Sequence, residues 1–286
     1  EGETTIGALY SQTGELLTPV ATRVDPLQTL GDEDDPDVIY LPRRDKYFYV
    51  SNTDNSNGST GTLSNRIVGS VLETAPGQGG SLVVRTEQPL GDGLPARAEG
   101  HPASIENPFN GQLITAYDAG NDTSAGDLSY FNLGVAPSYV FTSAGAEVPY
   151  LNGEPGVPFR HQHPQFEADP VSGTIVLTMN ARASAVGLPD ALAYWVLGPD
   201  GRPLPGQLPA PWLLADAPGG ISNSANFHGV AYSPVAQSFV MAYSAGAGVV
   251  HVAGLQVTSS HLAPAERPML RVTRSGSGIT LGWPVS

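Results

Sequence analysis

The chain contains no cysteine among its 286 residues. Disulfide bonds, thiolate metal sites and cysteine nucleophiles are therefore excluded. Basic residues are also scarce: 13 Lys and Arg stand against 27 Asp and Glu, and the formal net charge is −14. Because this charge repels polyanions, we expect no nucleic-acid partner and no binding to an anionic membrane surface.

Long hydrophobic runs are missing as well. No apolar stretch approaches the roughly 18 residues that a membrane-spanning helix needs, so we expect no membrane insertion. The chain also lacks Gly-x-Ser-x-Gly and the phosphate-binding loop motif. It begins at Glu1 rather than Met, which we interpret as a processed, exported protein or a trimmed chain. We expect a secreted, extracellular or cell-surface protein.

What the sequence does contain is a repeated pattern. Four stretches align without gaps when the prolines that start their turns, here called the turn prolines, are superposed. These are Pro42, Pro108, Pro170 and Pro234, spaced 62 to 66 residues apart. The fifth residue after each is apolar: Tyr47, Leu113, Ile175 and Phe239. The sixth is apolar too: Phe48, Ile114, Val176 and Val240. Repeats of this length correspond to units of about four strands, which bury little unless they stack on neighbours.

Each repeat predicts a first strand, a tight turn and an apolar second strand. The turn carries Gly111 or Gly173 in two repeats and Asp45 or Gln237 in the others, which favours a hairpin. The second strands, residues 47–50, 113–117, 175–179 and 239–243, are continuous apolar runs, which indicates burial on both faces. We expect the aromatic residues of 47–49 in the core. The pattern predicts no helix and an all-β fold, a β-propeller of radially stacked sheets.

The two ends of the chain leave the number of blades open. Residues 6–17 predict a hairpin with its turn at Gly14, and residues 268–286 predict two short strands across 275–278. Five blades, with both termini closing the last one, is our main interpretation. The final turn lies about 42 residues after Pro234 rather than about 64. The alternative is therefore four blades with extra terminal strands, or a separate element over 268–286. We expect residues 1–286 to form a single propeller domain.

The repeat motifs resemble those of exported bacterial β-propeller proteins. The residues concerned are Pro36-x-Val38-x-Tyr40-x-Pro42, followed by Tyr-Phe-Tyr-Val in the first repeat and Phe-Val-Met-Ala-Tyr in the last. This resemblance covers nearly the whole chain. It implies an adhesive, scaffold or binding module.

A weaker resemblance is to five-bladed glycoside hydrolases. Residues 34–38, Asp-Asp-Pro-Asp-Val, and 45–49, Asp-Lys-Tyr-Phe-Tyr, look like the first-blade signature of that family. The resemblance implies an aspartate general base, Asp35 or Asp37. The general acid of that family is a glutamate at the start of a later blade. At the corresponding position, repeat four has Phe227-His228-Gly229 instead.

Histidines cluster where first strands begin. His101, His163 and His228 each precede a predicted first strand, and Asp35 occupies the column of His101 and His163. Imidazoles with one carboxylate are suitable ligands for a divalent metal. The other interpretation is that the residue before a proline favours extended backbone. Aligned on the turn prolines, His228 falls one place later than the other two.

Carboxylates offer two further kinds of site. Asp35, Asp37, Glu106 and Glu167 are candidates for acid, base or nucleophile in glycoside cleavage. The acidic segments 32–37, 54–57 and 121–127 are candidate calcium loops, because Ca²⁺ prefers oxygen ligands. None of them fits the twelve-residue EF-hand pattern.

The four repeats share aligned apolar positions, but the sequence shows no evident set of catalytic residues. This combination favours a non-catalytic binding or structural protein of the cell surface, matrix or an appendage. The N-terminal hairpin, with Ile6, Leu9, Tyr10, Leu16 and Leu17, is predicted to add strands to a neighbouring copy. The alternatives are a glycan hydrolase and a calcium-supported, lectin-like adhesive module. The expected partners are therefore the protein itself or a glycan.

Overall fold

A computed structural model describes part of the chain. The described residues are 6–17, 22–23, 32–54, 66–74, 82–84, 88–90, 99–119, 126–133, 141–144, 159–183, 191–204, 212–214, 228–244, 250–257, 271–275 and 278–282. These residues contain twenty strands and no helix, which confirms the all-β prediction. The described residues include no candidate for a membrane-spanning helix.

The chain divides into two compact units. Unit 1 comprises Glu1–Glu106, Gly111–Asn121 and Asp127–Val148. Unit 2 comprises Asn107–Asn110, Asp122–Gly126 and Pro149–Ser286. A single domain over 1–286 stays a prediction.

Unit 1 contains a two-stranded N-terminal sheet, β1 (Ile6–Gly7) and β2 (Thr22–Arg23), and two larger antiparallel sheets. Sheet 1 has the order β3-β4-β5-β6, with β7 also paired to β5. Its strands are β3 (Asp32–Leu41), β4 (Lys46–Asp54), β5 (Arg66–Thr74), β6 (Leu82–Val84) and β7 (Gln88–Pro89). Sheet 2 consists of β8 (Glu99–Glu106), β9 (Leu113–Ala119), β10 (Gly126–Leu133) and β11 (Phe141–Ser143), paired in that order.

Unit 2 repeats this architecture. Sheet 3 consists of β12 (Phe159–Ala168), β13 (Ile175–Ala183), β14 (Ala191–Leu197) and β15 (Trp212–Leu214). Sheet 4 consists of β16 (His228–Ser233), β17 (Ser238–Ser244) and β18 (Val250–Leu255). The last two strands, β19 (Arg271–Ser275) and β20 (Gly278–Gly282), form a separate hairpin. Each of the four sheets begins with the predicted strand, turn and strand.

The turns follow one geometry in all four sheets. The third residue after the turn proline is left-handed in each: Asp45 (φ 52°), Gly111 (φ 71°), Gly173 (φ 71°) and Gln237 (φ 48°). Glycine adopts this conformation without strain, whereas a side chain costs about 1–2 kcal/mol. Two turns therefore carry the favoured residue and two carry strain.

Replacing Gln237 by Gly is expected to raise the free energy of unfolding by up to about 1 kcal/mol, because relief of strain exceeds the added chain entropy. The matched control is Ala236→Gly in the same turn, since Ala236 is not among the described residues with positive φ. That control should lower stability slightly. Chemical denaturation of the two variants makes the comparison, and equal effects would contradict the strain.

The core forms where one sheet packs on the next within a unit. We call the side bearing the fifth residue after the turn proline the front face of a sheet, and the side bearing the sixth the rear face. In unit 1, Phe48 and Val50 on the rear of sheet 1 pack with Leu113 and Tyr117 on the front of sheet 2. In unit 2, Val176 on the rear of sheet 3 packs with Phe239 on the front of sheet 4.

The predicted burial of both faces holds fully for the second strands of sheets 2 and 3, where residues 113–117 and 175–179 are all buried. Sheet 1 departs from it at Tyr47, which is 41% exposed, so the prediction that this aromatic lies in the core is wrong. Sheet 4 departs from it on the rear, where Val240 and Ala242 are only partly buried.

Both terminal hairpins form as predicted. Gly14 has φ 83°, Tyr10 bridges to Leu16, and the Leu17 N–H donates to the Leu9 carbonyl at 2.7 Å. The C-terminal hairpin pairs Ser275 with Gly278. The number of blades stays a prediction. One detail is corrected: the acidic segment 32–37 is not a loop but part of β3, because it pairs with β4.

Candidate functional site

Three first strands carry a β-bulge at the same place. Between Asp34, which pairs with Asn52, and Asp37, which pairs with Val50, the residues Asp35 and Pro36 face one partner residue. In β8 the bulge holds His101 and Pro102, and in β12 it holds His163 and Pro164. The column of Asp35, His101 and His163 seen in the sequence is therefore one structural position.

Proline explains the bulges. It has no N–H to give to a strand ladder, so within a sheet it is confined to edges and irregular positions. The preceding histidines take a left-handed backbone, with φ 46° at His101 and φ 53° at His163. Non-glycine residues in this region are strained, and such strain is often held at functional sites.

Asp37 emerges directly after the bulge of β3 and is partly buried. Its Oδ2 accepts a hydrogen bond from the Ser104 N–H of β8 at 3.2 Å. Burial raises the pKa of the Asp37 carboxyl, and the hydrogen bonds from the backbone of Ser104 and Val38 offset this only in part. Burial raises the pKa of both Asp37 and Glu106, and a backbone N–H holds each of them; Asp37 differs in that no arginine charge counters the shift.

Glu106 is also buried but is engaged with the turn of sheet 1. Its Oε2 accepts from the Arg43 N–H at 3.2 Å, and its Oε1 lies 3.8 Å from the Arg44 Nε. The Arg44 guanidinium also donates to the Leu133 carbonyl at 2.8 Å. Burial raises the pKa of Glu106, while the Arg43 N–H and the two arginine charges act against it. These contacts join two sheets of unit 1, which is a structural role.

The remaining predicted site residues divide between the two units or have no described side chain. The side chain of Asp35 is not described. Glu167 lies in β12, where its Oε1 accepts from the Ala168 N–H at 3.0 Å. Glu167, His163 and His228 belong to unit 2, and His101 belongs to unit 1.

His228 is the first residue of β16 and pairs regularly with Tyr243. Within the described part of the chain, neither of its buried ring nitrogens makes a hydrogen bond of good geometry, although the backbone of Thr178 lies close enough to favour the protonated ring. Burial lowers its pKa to about 4, and the backbone of Thr178 opposes that shift only in part. A buried, neutral imidazole of this kind is costly to protonate.

No metal site can be assembled from the described residues, since among them no three side chains of His, Asp or Glu lie close enough to hold an ion. The set of His101, His163, His228 and Asp35 stays a prediction. So does calcium: Asp54 ends β4, and residues 55–57 and 121–125 lie outside the described ranges.

The predicted assembly residues divide into two groups. Tyr10, Leu16 and Leu17 are 58%, 45% and 43% exposed. Leu9 is partly buried, and the side chain of Ile6 is not described. The backbone of Ile6 pairs with Arg23, so this hairpin completes a ladder within its own chain.

Sequence reasoning missed Ser104, whose backbone N–H holds Asp37. A backbone donor carries no side-chain signal, and its role follows only from the packing of β8 beside β3. It also missed Tyr40, whose hydroxyl donates to Asp45 at 2.8 Å.

Comparison with known proteins identifies the fold. No protein-family model and no curated protein matches the sequence. Among solved structures, the Hadza microbial sialidase Hz136 is similar with a TM-score of 0.52 and 10% identity, over 78% of this chain and 44% of that one. A Trypanosoma rangeli sialidase in complex with the inhibitor DANA is similar with a TM-score of 0.51 and 7% identity, over 89% of this chain and 40% of that one.

A third similarity, to an endo-arabinase from Bacteroides thetaiotaomicron VPI-5482, covers 90% of this chain and 95% of that one, at 10% identity and a TM-score of 0.48. The chain spans less than half the length of the two sialidase chains that it matches. The repeated antiparallel sheets and the two sialidase similarities together confirm the predicted β-propeller fold.

Proposed function

We propose that the chain acts on glycans as an exported glycoside hydrolase, with Asp37 as the general base. The observation that carries this proposal is the Asp37 carboxylate, which burial holds at a raised pKa beside the bulge of β3. The sialidase and arabinase names of the similar structures support glycans as the substrate class. This proposal reverses the preference drawn from the sequence, which was for a non-catalytic protein.

A raised pKa suits a carboxyl group that exchanges protons near neutral pH. General acid–base catalysis is most efficient when the pKa of the group lies near the working pH. Glycoside cleavage requires a second carboxyl group, about 5–5.5 Å away in retaining enzymes and about 6.5–9.5 Å away in inverting ones. Asp35, across the bulge, is the nearest in sequence of the predicted candidates.

The direct test is to incubate the protein with a panel of oligosaccharides and measure the release of reducing ends. The panel should include sialylated, arabinose-containing and galactose-containing glycans, with heat-denatured protein as the control. Turnover of at least one glycan class is expected. Glycan binding without turnover would contradict the hydrolase and support a lectin-like module.

A second candidate, self-assembly through the N-terminal hairpin, is favoured by the exposure of Tyr10, Leu16 and Leu17. Exposed apolar residues of this kind mark contact surfaces when they are contiguous. The double variant Leu16→Lys/Leu17→Lys should reduce any assembly seen by sedimentation velocity, with the melting temperature nearly unchanged. An unchanged sedimentation profile would remove the hairpin from the assembly.

A further inference from the structure

The turn between β8 and β9 contains an asparagine directly before a glycine. Asn110 is exposed, and Gly111 is left-handed with φ 71°. Among the described residues, Asn110 is the only asparagine that precedes a glycine. The corresponding pairs in the other three turns are Arg44-Asp45, Ser172-Gly173 and Ala236-Gln237. The asparagine–glycine pair is therefore a property of this one turn and not of the repeat.

An asparagine side chain can be attacked by the backbone nitrogen of the residue that follows it. The nitrogen forms a bond to the side-chain carbonyl carbon, the amide group leaves as ammonia with the former N–H proton, and a cyclic imide results. Water then opens the imide at one carbonyl or the other, which gives aspartate or isoaspartate. The reaction needs only water, and glycine favours it because no Cβ shields its nitrogen.

The nitrogen of Gly111 is available for this attack. Within the described part of the chain, the Gly111 N–H makes no backbone hydrogen bond. The corresponding glycine of sheet 3 differs, since the Gly173 N–H donates to the Asp169 carbonyl at 2.9 Å. Such a bond holds the proton and has to break before the nitrogen can react. Gly111 does not have that barrier.

The side chain of Arg43 lies over this glycine. A Cβ placed on Gly111 would lie 3.0 Å from the Cδ of Arg43 and 3.3 Å from its Nη1. The Arg43 N–H donates to Glu106 Oε2 at 3.2 Å, which fixes the backbone from which the side chain extends. Attack places negative charge on the glycine nitrogen and then on the amide oxygen. A guanidinium group held at this position stabilises that charge.

We propose that Asn110 is a self-modifying site, at which the Gly111 nitrogen converts asparagine to aspartate or isoaspartate with assistance from the Arg43 guanidinium. The isoaspartate product adds one methylene group to the backbone directly before the left-handed residue. Asn107 Oδ1 accepts from the N–H groups of Phe109 and Asn110 at 2.9 and 3.4 Å, so the longer backbone disturbs this turn. The reaction is independent of the proposed glycan hydrolysis.

The test is to incubate the folded protein at mildly alkaline pH and to follow residue 110 by peptide mapping with mass spectrometry. Mapping separates this turn from Asn57-Gly58 and Asn152-Gly153, which lie outside the described ranges. Conversion at residue 110 is expected, whereas Asn107 in the same turn should stay unmodified, because Pro108 has no N–H to attack. An Asn110 that is as unreactive as Asn107 would overturn the proposal.

The effect on the turn is measured with Asn110→Ser, which introduces the residue found at this position in sheet 3. The melting temperature of the native protein should fall during the incubation in proportion to the isoaspartate formed at residue 110. Asn110→Ser should lose less over the same time, since its other asparagines are unchanged. Equal losses in the two proteins would show that isoaspartate does not disturb this turn, contrary to the proposal.

The role of Arg43 is measured with Arg43→Gln, which keeps the backbone N–H and removes the charge. Conversion should slow about two- to fivefold, the range that an exposed charge pair supports. Arg202→Gln, which removes a positive charge from the turn after β14, should leave the rate unchanged.

Salt and denaturant separate this charge effect from a change in the turn. High salt should bring the native rate down to that of Arg43→Gln, because it screens exposed charges. In concentrated urea the native and Arg43→Gln chains should react at the same rate, since the contact exists only in the folded protein. Equal rates of these two proteins when folded at low salt would remove Arg43 from the site and overturn the assisted reaction.

Discussion

Replacing Asp37 by Asn is expected to lower glycan turnover by about 100-fold or more while leaving glycan binding intact. Removal of a general base typically costs a factor of about 10²–10⁴. Asn keeps an oxygen that can accept the Ser104 N–H, so the local backbone contact survives the substitution. The measurements are reducing-end release and the Kd for the same oligosaccharide. Equal turnover in the two proteins would exclude Asp37 as the base.

The same variant should be more stable than the native protein at neutral pH. Burial raises the folded-state pKa of Asp37, so its ionised form is penalised in the folded protein once the pH exceeds that value. The stabilising contribution of the protonated form is complete below the ordinary carboxyl pKa and is lost as the pH rises through the folded pKa. The gain in melting temperature from Asp37→Asn should therefore be largest near pH 8 and shrink toward pH 4.

Asp169→Asn provides the matched control with the opposite sign. Burial acts to raise the pKa of Asp169, but hydrogen bonds from the Ser172 hydroxyl, from backbone N–H groups and from Tyr232 outweigh it and lower the pKa. That carboxylate stabilises the fold above its ordinary pKa, and the benefit is lost as the pH falls through the folded value. Asp169→Asn should therefore lower the melting temperature near pH 8. Shifts of the same sign in both variants would refute this interpretation of Asp37.

Replacing His228 by Leu is expected to remove a large part of the pH dependence of stability in the acid range. The pKa of His228 is lowered from 6.5 to about 4, and each pKa unit corresponds to about 1.4 kcal/mol. The native protein should therefore lose roughly 3 kcal/mol from this residue as the pH falls from about 7 to about 4. A non-titrating side chain removes that loss.

The sign follows from the unfolded state. Above pH 6.5 the imidazole is neutral in both states, so its contribution is constant. As the pH falls below 6.5, the unfolded chain takes up the proton first, and the folded state is destabilised until the folded pKa is reached. The native melting temperature should therefore fall more steeply with acid than that of the variant.

Denaturant unfolding of native protein, His228→Leu and His228→Gln between pH 7.5 and pH 4.5 separates titration from packing. Both substitutions abolish the charge, so both should flatten the pH dependence equally. Only Leu also removes the buried polar atoms, which make no hydrogen bond of good geometry, so it should be the more stable of the two at pH 7.5. If the stability of both variants depended on pH as that of the native protein does, His228 would not titrate in this range.

The repeat carried most of what could be predicted of the fold. The turn prolines and the apolar columns predict the first two strands of all four sheets, because proline geometry and apolar burial are local properties of the sequence. The left-handed residues at Gly111 and Gly173 follow from the same reasoning. The structure adds the same geometry at Asp45 and Gln237, where the residue type alone would not require it.

The candidate site was harder to predict, because it depends on contacts between distant segments. Asp37 and Glu106 are both carboxylates in the sequence. In the structure, Asp37 accepts a hydrogen bond from a backbone N–H of β8, whereas Glu106 accepts one from the turn of sheet 1. The sequence also could not decide whether His101, His163, His228 and Asp35 come together as metal ligands. The bulges change the backbone direction at His101 and His163, whereas His228 in β16 pairs with its partner strand without a bulge.

The prolines of the bulges also guard the chain against aggregation. β3, β8, β12 and β16 are each the terminal strand of their sheet among the described residues. Such strands invite pairing with foreign strands, and a proline or a bulge blocks that pairing. Pro36, Pro102 and Pro164 protect three of the four. Of these four strands, β16 has neither device between His228 and Ser233, so it is the least protected of them against such pairing.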